Sequence, residues 1–154
     1  MKKITPFLWF DTQAEEAMNF YVSLFKNSKV NSVSHGPDGK AFTVSFELNG
    51  QEFMGLNAGP RFKFNESISM FVNCENQAEV DHFWNALVAD GGEESMCGWC
   101  KDKYGLWWQI IPQQLGELMG DPNPAKAQSV TQAMLQMKKI IVADLQKAYD
   151  GVQS

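Results

Sequence analysis

Short stretches of the chain alternate between apolar and polar side chains, which is the pattern of strands that bury one face. The clearest stretch is 42–48, and Asn49-Gly50 after it is a strong hairpin signal that predicts a returning strand over 51–57. The aromatic run 6–10 predicts a first strand, and weaker alternation predicts another over 30–35.

A helix is predicted between the first two of these strands, over about 13–26. Thr12 offers a hydroxyl at the N-cap position, and Glu15 follows it three residues on, as in a capping box. Apolar side chains then recur at helical spacing: Ala14, Ala17, Met18, Tyr21, Leu24 and Phe25. The first part of the chain therefore predicts the element order β-α-β-β-β.

The same order restarts after a linker over 58–66. A second N-cap residue, Asn76, opens an apolar helical stripe that ends at Gly91-Gly92. The strands around this helix are predicted over 67–73, 93–96, 98–101 and 106–111. The tripeptide Gln-Ala-Glu also returns, at 13–15 and 77–79. We therefore predict two βαβββ modules, over about 4–57 and 67–112.

The end of the chain has a different pattern. Asp121-Pro122-Asn123-Pro124 is a helix breaker, and apolar side chains recur at helical spacing from Val130 to Ala148. The spacing predicts a single amphipathic C-terminal helix over about 124–149. Its apolar face is expected to cover either its own domain or a partner subunit.

Length, composition and charge indicate what kind of protein has these elements. A chain of 154 residues with 44% hydrophobic side chains fits a single globular domain, 1–154. A formal net charge of −5 without a basic stripe argues against nucleic acid and anionic membranes as partners. No stretch has the apolar length of a signal peptide or a membrane helix, so we expect a cytoplasmic protein with reduced thiols at Cys74, Cys97 and Cys100.

Several motifs at matched places in the two modules carry a resemblance to a known family. They are Phe7-Leu8-Trp9-Phe10-Asp11, Phe20-Tyr21, Leu48-Asn49-Gly50-Gln51-Glu52-Phe53, Phe64-Asn65-Glu66, Cys97-Gly98-Trp99, Lys101-Asp102-Lys103-Tyr104-Gly105 and Trp108-Gln109-Ile110-Ile111-Pro112. With these motifs the chain resembles the PhnB-like (demethylubiquinone methyltransferase-like) branch of the glyoxalase/bleomycin resistance/dioxygenase, or vicinal oxygen chelate, superfamily. The likeness covers nearly the whole chain, and the stretch 97–109 is its most specific part.

The resemblance implies an α+β fold in which the two modules form a cupped eight-stranded mixed sheet around a cavity, usually in a homodimer. It does not imply one reaction, because relatives include metal-dependent isomerases, dioxygenases, thiol transferases and metal-free drug-binding proteins. A genuine methyltransferase is not expected, because no glycine-rich loop stands between a parallel strand and a helix to hold the cofactor.

The resemblance also implies four positions at which metal-using relatives hold an ion, on the first and last strands of each module. Alignment with the helices and the turn glycines assigns them to Pro6, Met54, Ser67 and Gln109. This set contains no carboxylate and no imidazole, which divalent ions prefer as ligands. We therefore expect no tightly bound metal and no cofactor, and we expect both histidines, His35 and His82, at the surface.

The period of two then predicts which side chains face the cavity. Phe42, Val44, Phe46 and Leu48 are expected to pack on the helices, so that Thr43, Ser45 and Glu47 face the cavity. The residues expected to bind a ligand are Trp9, Ser45, Glu47, Met54, Ser67, Ser69, Trp99, Trp107 and Gln109. Glu47 is a candidate general base and Cys97 a candidate nucleophile, although neither has a partner recognisable in the sequence.

Three functions follow as hypotheses. The leading one is a homodimeric, metal-free protein that binds a small, partly aromatic or apolar organic ligand. The second is an enzyme of the same superfamily that recruits a weakly held metal, or uses Glu47, on a small organic substrate. The third is a dimeric scaffold whose cavity is filled by its own side chains. Elemental analysis, cavity volume and ligand-induced thermal shifts would separate these hypotheses.

Overall fold

A computed structural model describes residues 2–153 of the chain. The chain divides into two compact units, the first ending at Phe64 and the second beginning at Asn65. Each unit contains one βαβββ module, and the second also contains the C-terminal helices. The α+β class and the two predicted modules are therefore confirmed. None of the helices within residues 2–153 has the length and apolarity needed to span a membrane.

The first module has one helix and four strands. Its elements are β1 (Phe7–Phe10), α1 (Ala14–Leu24), β2 (Lys29–His35), β3 (Ala41–Leu48) and β4 (Gln51–Asn57). The strand order in the sheet is β1-β4-β3-β2, with β1 parallel to β4 and the other neighbours antiparallel. The β3–β4 turn is the predicted Asn-Gly hairpin, and both Asn49 and Gly50 have the positive φ that this turn type needs.

One face of this sheet is covered by α1. Val44, Phe46 and Leu48 are buried there, as the alternation along 42–48 predicts, and they lie with Ala17 and Tyr21 of the helix in the core. Phe46 and Tyr21 are fully buried, and their ring centroids are 6.4 Å apart. Phe42, expected to pack on the helix as well, is instead 49% exposed.

The start of α1 differs from the predicted capping box. The N-cap residue is Gln13, which makes no side-chain cap, and Thr12 is not used. The first helical amide, Ala14 N, donates instead to Asn57 Oδ1 at the end of β4, at 2.8 Å. Asn57 Nδ2 donates to Ala41 O, so this one side chain joins the helix start to two strands. Sequence periodicity cannot reveal a cap that comes from 43 residues away.

The second module repeats the first. Its elements are β5 (Met70–Cys74), α2 (Gln77–Val88), β6 (Glu93–Glu94), β7 (Trp99–Lys101) and β8 (Trp107–Pro112). The order β5-β8-β7-β6, again with a parallel first pair, matches the first sheet strand for strand. Asn76 caps α2 as predicted, because its side chain accepts from Glu79 N.

The first strand of this module begins later than the sequence suggested. We expected a strand over 67–73, but β5 starts at Met70. Ser67 lies in a turn instead, because both its backbone N and its Oγ donate to Asn65 Oδ1, at 2.9 and 2.6 Å. An asparagine that bonds the backbone two residues on competes with strand pairing in this way.

A buried carboxylate shapes the β7–β8 turn. Asp102 is 1% exposed and is a charged residue buried in the core. Its Oδ1 accepts from the backbone N of Tyr104 and Leu106, at 2.8 and 3.0 Å, and its Oδ2 accepts from Trp108 Nε1 at 2.9 Å. Three donors offset the cost of removing the charge from water, so Asp102 fixes this turn rather than acting as a reactive group.

The C-terminal region is not one helix. It forms α3 (Gln113–Met119), α4 (Pro124–Leu135) and α5 (Val142–Asp150). The predicted helix over 124–149 is therefore wrong, because it is interrupted between α4 and α5 by a non-helical segment, residues 137–141, here named the strap. Ile111 at the end of β8 is buried in a cluster with the helices, whose other buried members are Leu115, Val130, Ile140 and Leu145.

Hydrogen bonds from residues of the second module keep the strap from becoming helical. Cys97 N and Gly98 N donate to the strap carbonyls of Met137 and Lys138, at 2.7 and 2.8 Å. The Gln77 side chain donates to Ile140 O and accepts from Val142 N, at 3.0 and 2.7 Å. These partners take backbone groups that a continuous helix would use internally, so the helix stops at Leu135.

The strands lie in two four-stranded sheets, one in each unit. Each sheet has the mixed parallel and antiparallel pairing that was expected. The joining of the two sheets into a single eight-stranded cup, and the reading of 1–154 as one domain, stay predictions.

Candidate functional site

The face of the first sheet opposite α1 carries apolar and polar side chains together. Directly paired residues of neighbouring strands point to the same face, so Phe7 of β1, Met54 of β4 and Ser45 of β3 form a row across it. Met54 and Ser45 are half-buried, whereas Phe7 is 52% exposed. We name this surface the open face of the first module.

The second sheet has a matching open face. Phe71 of β5, Gln109 of β8 and Trp99 of β7 form the corresponding row, and Phe71 is 60% exposed. Gln109 Nε2 donates to Ser69 Oγ at 2.9 Å, so two predicted ligand-binding residues are in direct contact. The pairing makes Phe7 equivalent to Phe71, and Met54 equivalent to Gln109. The two modules thus present the same row with different chemistry.

An ion pair lies at equivalent places beside each row. Lys29 Nζ is 3.4 Å from Glu47 Oε2 across β2 and β3. Lys101 Nζ is 3.3 Å from Glu93 Oε2 across β7 and β6. Glu47 and Lys101 occupy the same position of the repeat, so the two pairs have the opposite order of charge. The structure gives Glu47 this lysine as its partner, and the sequence analysis missed it.

The remaining predicted tryptophans border these faces. Trp9 Nε1 donates to Gly59 O at 2.9 Å, and its ring meets Phe62 edge-on with centroids 4.9 Å apart. Trp107 lies beneath the Lys101 ammonium, whose Nζ is 6.0 Å from the ring centroid. Both rings are half-buried, so each keeps apolar surface open to solvent or to a ligand.

The four positions assigned to a metal carry groups that bind divalent ions poorly. Pro6 contributes only a backbone carbonyl, which accepts from Met54 N at 2.9 Å. The register makes Met70, not Ser67, the counterpart of Pro6, and Ser67 is turned towards Asn65. A thioether and an amide without a carboxylate or imidazole do not suit a hard or borderline divalent ion. Within residues 2–153, no group of three His, Cys, Asp or Glu side chains converges as a metal site.

The cysteines differ in environment. Cys74 and Cys100 are fully buried, and burial raises the pKa of each thiol to about 12. Cys97 is half-buried in a turn with φ of 59°, where its backbone N is bonded to the strap. Cys100 points into the core beside α2, so the Cys97–Cys100 pair does not present two accessible thiols. His35 and His82 are exposed, as expected.

Sequence reasoning missed Phe7 as a residue of the open face. The signal was available, because Phe7 lies two residues before Trp9 and therefore on the same side of its strand. Phe62 was missed for a different reason: it lies in the linker after β4, and only the fold brings its ring against Trp9.

Two βαβββ modules, each with a parallel first pair and one helix-covered face, define the class of glyoxalase/bleomycin resistance proteins, the vicinal oxygen chelate superfamily. A family model described as 3-demethylubiquinone-9 3-methyltransferase matches residues 2–111. The chain therefore belongs to this family.

Solved structures agree with that assignment. A PhnB protein of Bacillus cereus, described as a 3-demethylubiquinone-9 3-methyltransferase, is 37% identical with a TM-score of 0.68, over 72% of this chain and 99% of its own. Protein PA1353 of Pseudomonas aeruginosa shares the fold at 17% identity and a TM-score of 0.60, over 73% of this chain and 98% of its own. A search of curated proteins finds no match. The family match ends before α3, so the three C-terminal helices lie outside it.

Proposed function

We propose that the protein binds a small organic molecule with an aromatic or apolar part on the open faces of its modules, without a tightly held metal ion. The observation that carries the proposal is the pair of exposed phenylalanines, Phe7 and Phe71, at equivalent positions of the repeat. A ring left more than half exposed on a sheet face offers apolar surface that a ligand can remove from water.

Polar groups next to these rings would orient the ligand. Ser45 lies in the row of the first module, and Gln109 with Ser69 lies in the row of the second. The Gln109–Ser69 hydrogen bond fixes the amide plane, so the Gln109 carbonyl oxygen stays in one place as an acceptor. A neutral set of this kind favours an uncharged group, such as a hydroxyl or an amide, at the polar end of the ligand.

The proposed binding role rests on the donor chemistry of the assigned positions and not on the family description. Met54 and Gln109 hold the equivalent places at which the resemblance implies metal ligands, and neither carries charge at neutral pH. A superfamily enzyme acting through Glu47 is the second candidate. Lys29 Nζ lies 3.4 Å from Glu47 Oε2, so this ion pair would hold the carboxylate in one place on the open face.

We also propose that the working form is a homodimer. Phe7 and Phe71 on the open faces and Phe62 in the linker are each more than half exposed, which leaves apolar side chains that a second chain could cover. Methyl transfer is not proposed, because the mixed sheets of both modules offer no glycine-rich turn between a parallel strand and a helix.

A thermal-shift screen with neutral aromatic probes, such as naphthol and phenyl-substituted amides, tests the binding role. Ligands of the native state raise the melting temperature, and a ligand at about 100 times its Kd adds about 2.7 kcal/mol to stability. We expect the rise for active probes to disappear in Phe71→Ser or Phe7→Ser. It should persist in Leu135→Ser, a control that removes a 45% exposed side chain from α4.

Elemental analysis of the same sample tests the metal statement. A transition metal present at one equivalent per chain would contradict the proposal and favour the enzyme. If no neutral aromatic probe shifts the melting temperature, the third hypothesis, a dimeric scaffold with a filled cavity, gains support instead.

A further inference from the structure

The open face of the second module has an amide side chain between two aromatic ones. Phe71 of β5 and Trp99 of β7 both pair directly with Gln109 of β8, one from each side. Neighbouring strands are about 4.8 Å apart, so the two aromatic residues stand about 10 Å apart across the sheet. Phe71 is 60% exposed and Trp99 is half-buried. A flat ring can therefore stand between them with one edge towards Gln109.

The Gln109 amide is held in one orientation by Ser69, because its Nε2 donates to Ser69 Oγ at 2.9 Å. Within residues 2–153, the Gln109 Oε1 atom accepts no hydrogen bond, and it is not a buried atom, so a ligand can reach it. Ser69 accepts in this bond and keeps its own hydroxyl hydrogen to donate. An acceptor and a donor thus lie next to each other between the aromatic side chains.

The first module does not repeat this arrangement. The register places Met54 where the second module has Gln109, and Ser45 where it has Trp99. A thioether donates no hydrogen bond and accepts only weakly. Ser45 supplies no aromatic ring, so the row in the first module has Phe7 as its one ring. The second module therefore has two features for ligand recognition that the first lacks.

The charges on this face are already paired with each other. Lys101 is the strand partner of Trp107, which lies two residues before Gln109 on the same face, and its Nζ is 6.0 Å from the indole centroid. The same Nζ lies 3.3 Å from Glu93 Oε2. An anionic ligand would have to compete with Glu93 for this cation while it loses its own water. The face therefore favours a ligand whose polar edge is uncharged.

We propose that the open face of the second module binds a flat heteroaromatic molecule with a cyclic amide on its edge, a pyridone or quinolone ring for example. Such a ring holds an N–H and a carbonyl next to each other on one edge. The N–H donates to Gln109 Oε1, the carbonyl accepts from the Ser69 hydroxyl, and the ring faces turn towards Phe71 and Trp99. The chemical class of the ligand is named here on the basis of the binding role proposed above for the open faces.

Two ligands that differ in a single donor test the proposal, 2-quinolinone and its N-methyl derivative, in NMR titrations of the full chain. We expect 2-quinolinone to bind with a Kd of about 0.1–1 mM, as is usual for a ligand of few atoms, and to move the side-chain amide signals of Gln109. The N-methyl derivative should bind about tenfold more weakly, because it leaves Gln109 Oε1 without a donor. The related bicyclic compound 2-naphthol, which has no cyclic amide, should bind about as weakly as the N-methyl derivative.

Two substitutions with a matched control locate the site. Gln109→Met gives the second module the residue of the first, and should weaken 2-quinolinone binding by about tenfold while the N-methyl derivative binds as before. Ser69→Ala removes one donor and should weaken 2-quinolinone binding by about two- to fivefold. Gln113→Met, the same change at an exposed position of α3, should leave both affinities unchanged. Circular dichroism checks that each variant is folded.

The outcomes separate this proposal from the binding role on which it rests. If 2-quinolinone binds no more tightly than its N-methyl derivative and 2-naphthol, the cyclic-amide proposal is wrong although aromatic binding stands. The same holds if folded Gln109→Met keeps the full difference between the two quinolinones. If none of the three compounds binds the wild-type chain, both the cyclic-amide proposal and the proposed aromatic binding are overturned.

Discussion

At the scale of single residues, the two modules show how one position can carry different chemistry on one backbone. Met54 and Gln109 have the same strand neighbours, and so do Phe7 and Phe71. Both modules have a phenylalanine on the first strand. The residue paired with it is a methionine in the first module and a glutamine in the second. The face of each of these strand residues was predictable from the period of two along β4 and β8.

Asp102 offers the sharpest prediction at this scale. Asp102→Ala leaves two backbone amides and the Trp108 indole without their acceptor. Each unsatisfied buried donor costs about 1–3 kcal/mol. Taking the lower value for each of the three donors, we expect the free energy of unfolding to fall by about 3 kcal/mol. Urea denaturation measures it. Asp38→Ala, at an exposed turn, should cost less than about 1 kcal/mol, and an equal loss in both variants would refute the role of Asp102.

The buried thiols predict a dependence on pH. In the folded chain, burial raises the pKa of Cys74 and Cys100 to about 12 from an ordinary value of 9. The native state therefore holds these protons longer than the unfolded state does. Their contribution to stability is complete below pH 9 and is lost as the pH rises towards 12.

A thiol reagent tests the burial of these two thiols. At pH 8, Ellman's reagent should label Cys97 in the native protein and reach all three thiols only after unfolding. A Cys97→Ser variant is the control and should show almost no native labelling. Rapid labelling of this variant would mean that Cys74 or Cys100 is accessible.

At the scale of elements, the sequence predicted what depends on local pattern and missed what depends on distant contacts. The strands β3 and β4 and the helices α1 and α2 follow from periodicity and from the Asn-Gly turn. The break at residues 137–141 does not, because Gln77, Cys97 and Gly98 impose it from another part of the chain. Ser67 was assigned to a strand because the sequence pattern does not show that Asn65 accepts hydrogen bonds from it in a turn.

The site was predictable to a similar degree. Alternation gave the faces of Ser45, Glu47 and Gln109, since each lies on a regular strand. It could not give the Glu47–Lys29 pair, which depends on the register of an irregular β2, nor the counterpart of Pro6, which depends on where β5 begins.

Gly98 tests the attachment of the strap. Its φ is +82°, and a Cβ there would lie 2.7 Å from Ile111 Cδ1 and 3.1 Å from Ile140 Cγ1. Gly98→Ala should therefore lower the unfolding free energy by about 3 kcal/mol, through backbone strain together with overpacking. The matched control is Gly39→Ala, where φ is +78° but nothing lies within 4 Å. It should cost about 1 kcal/mol from strain alone, and equal losses would contradict the close contact.

At the scale of the whole molecule, the family defines the two modules and this chain adds three helices after them. The match to the family model ends at residue 111, and Ile111 is where the helical cluster begins. The added helices therefore stabilise the last strand of the family fold directly. They also supply the strap, so the extension is part of the second module and not a separate appendage.

Sedimentation equilibrium tests the proposed homodimer. We expect twice the chain mass of 17.3 kDa at micromolar concentration. If an open face forms the interface, Phe7→Glu or Phe71→Glu should shift the protein to monomer by burying an unpaired charge. Glu16→Gln should not. A wild-type monomer at all accessible concentrations would refute the dimer.

The two ion pairs of opposite order beside the open faces have an implication for how the repeat diverged. Lysine faces glutamate in both modules, but the strands that carry them are exchanged: Lys29 with Glu47, and Glu93 with Lys101. A hybrid with β3 and β7 interchanged would set two lysines opposite each other in one half and two glutamates in the other. The charges on neighbouring strands are therefore complementary only within each module, and a strand of one module can no longer replace its equivalent in the other.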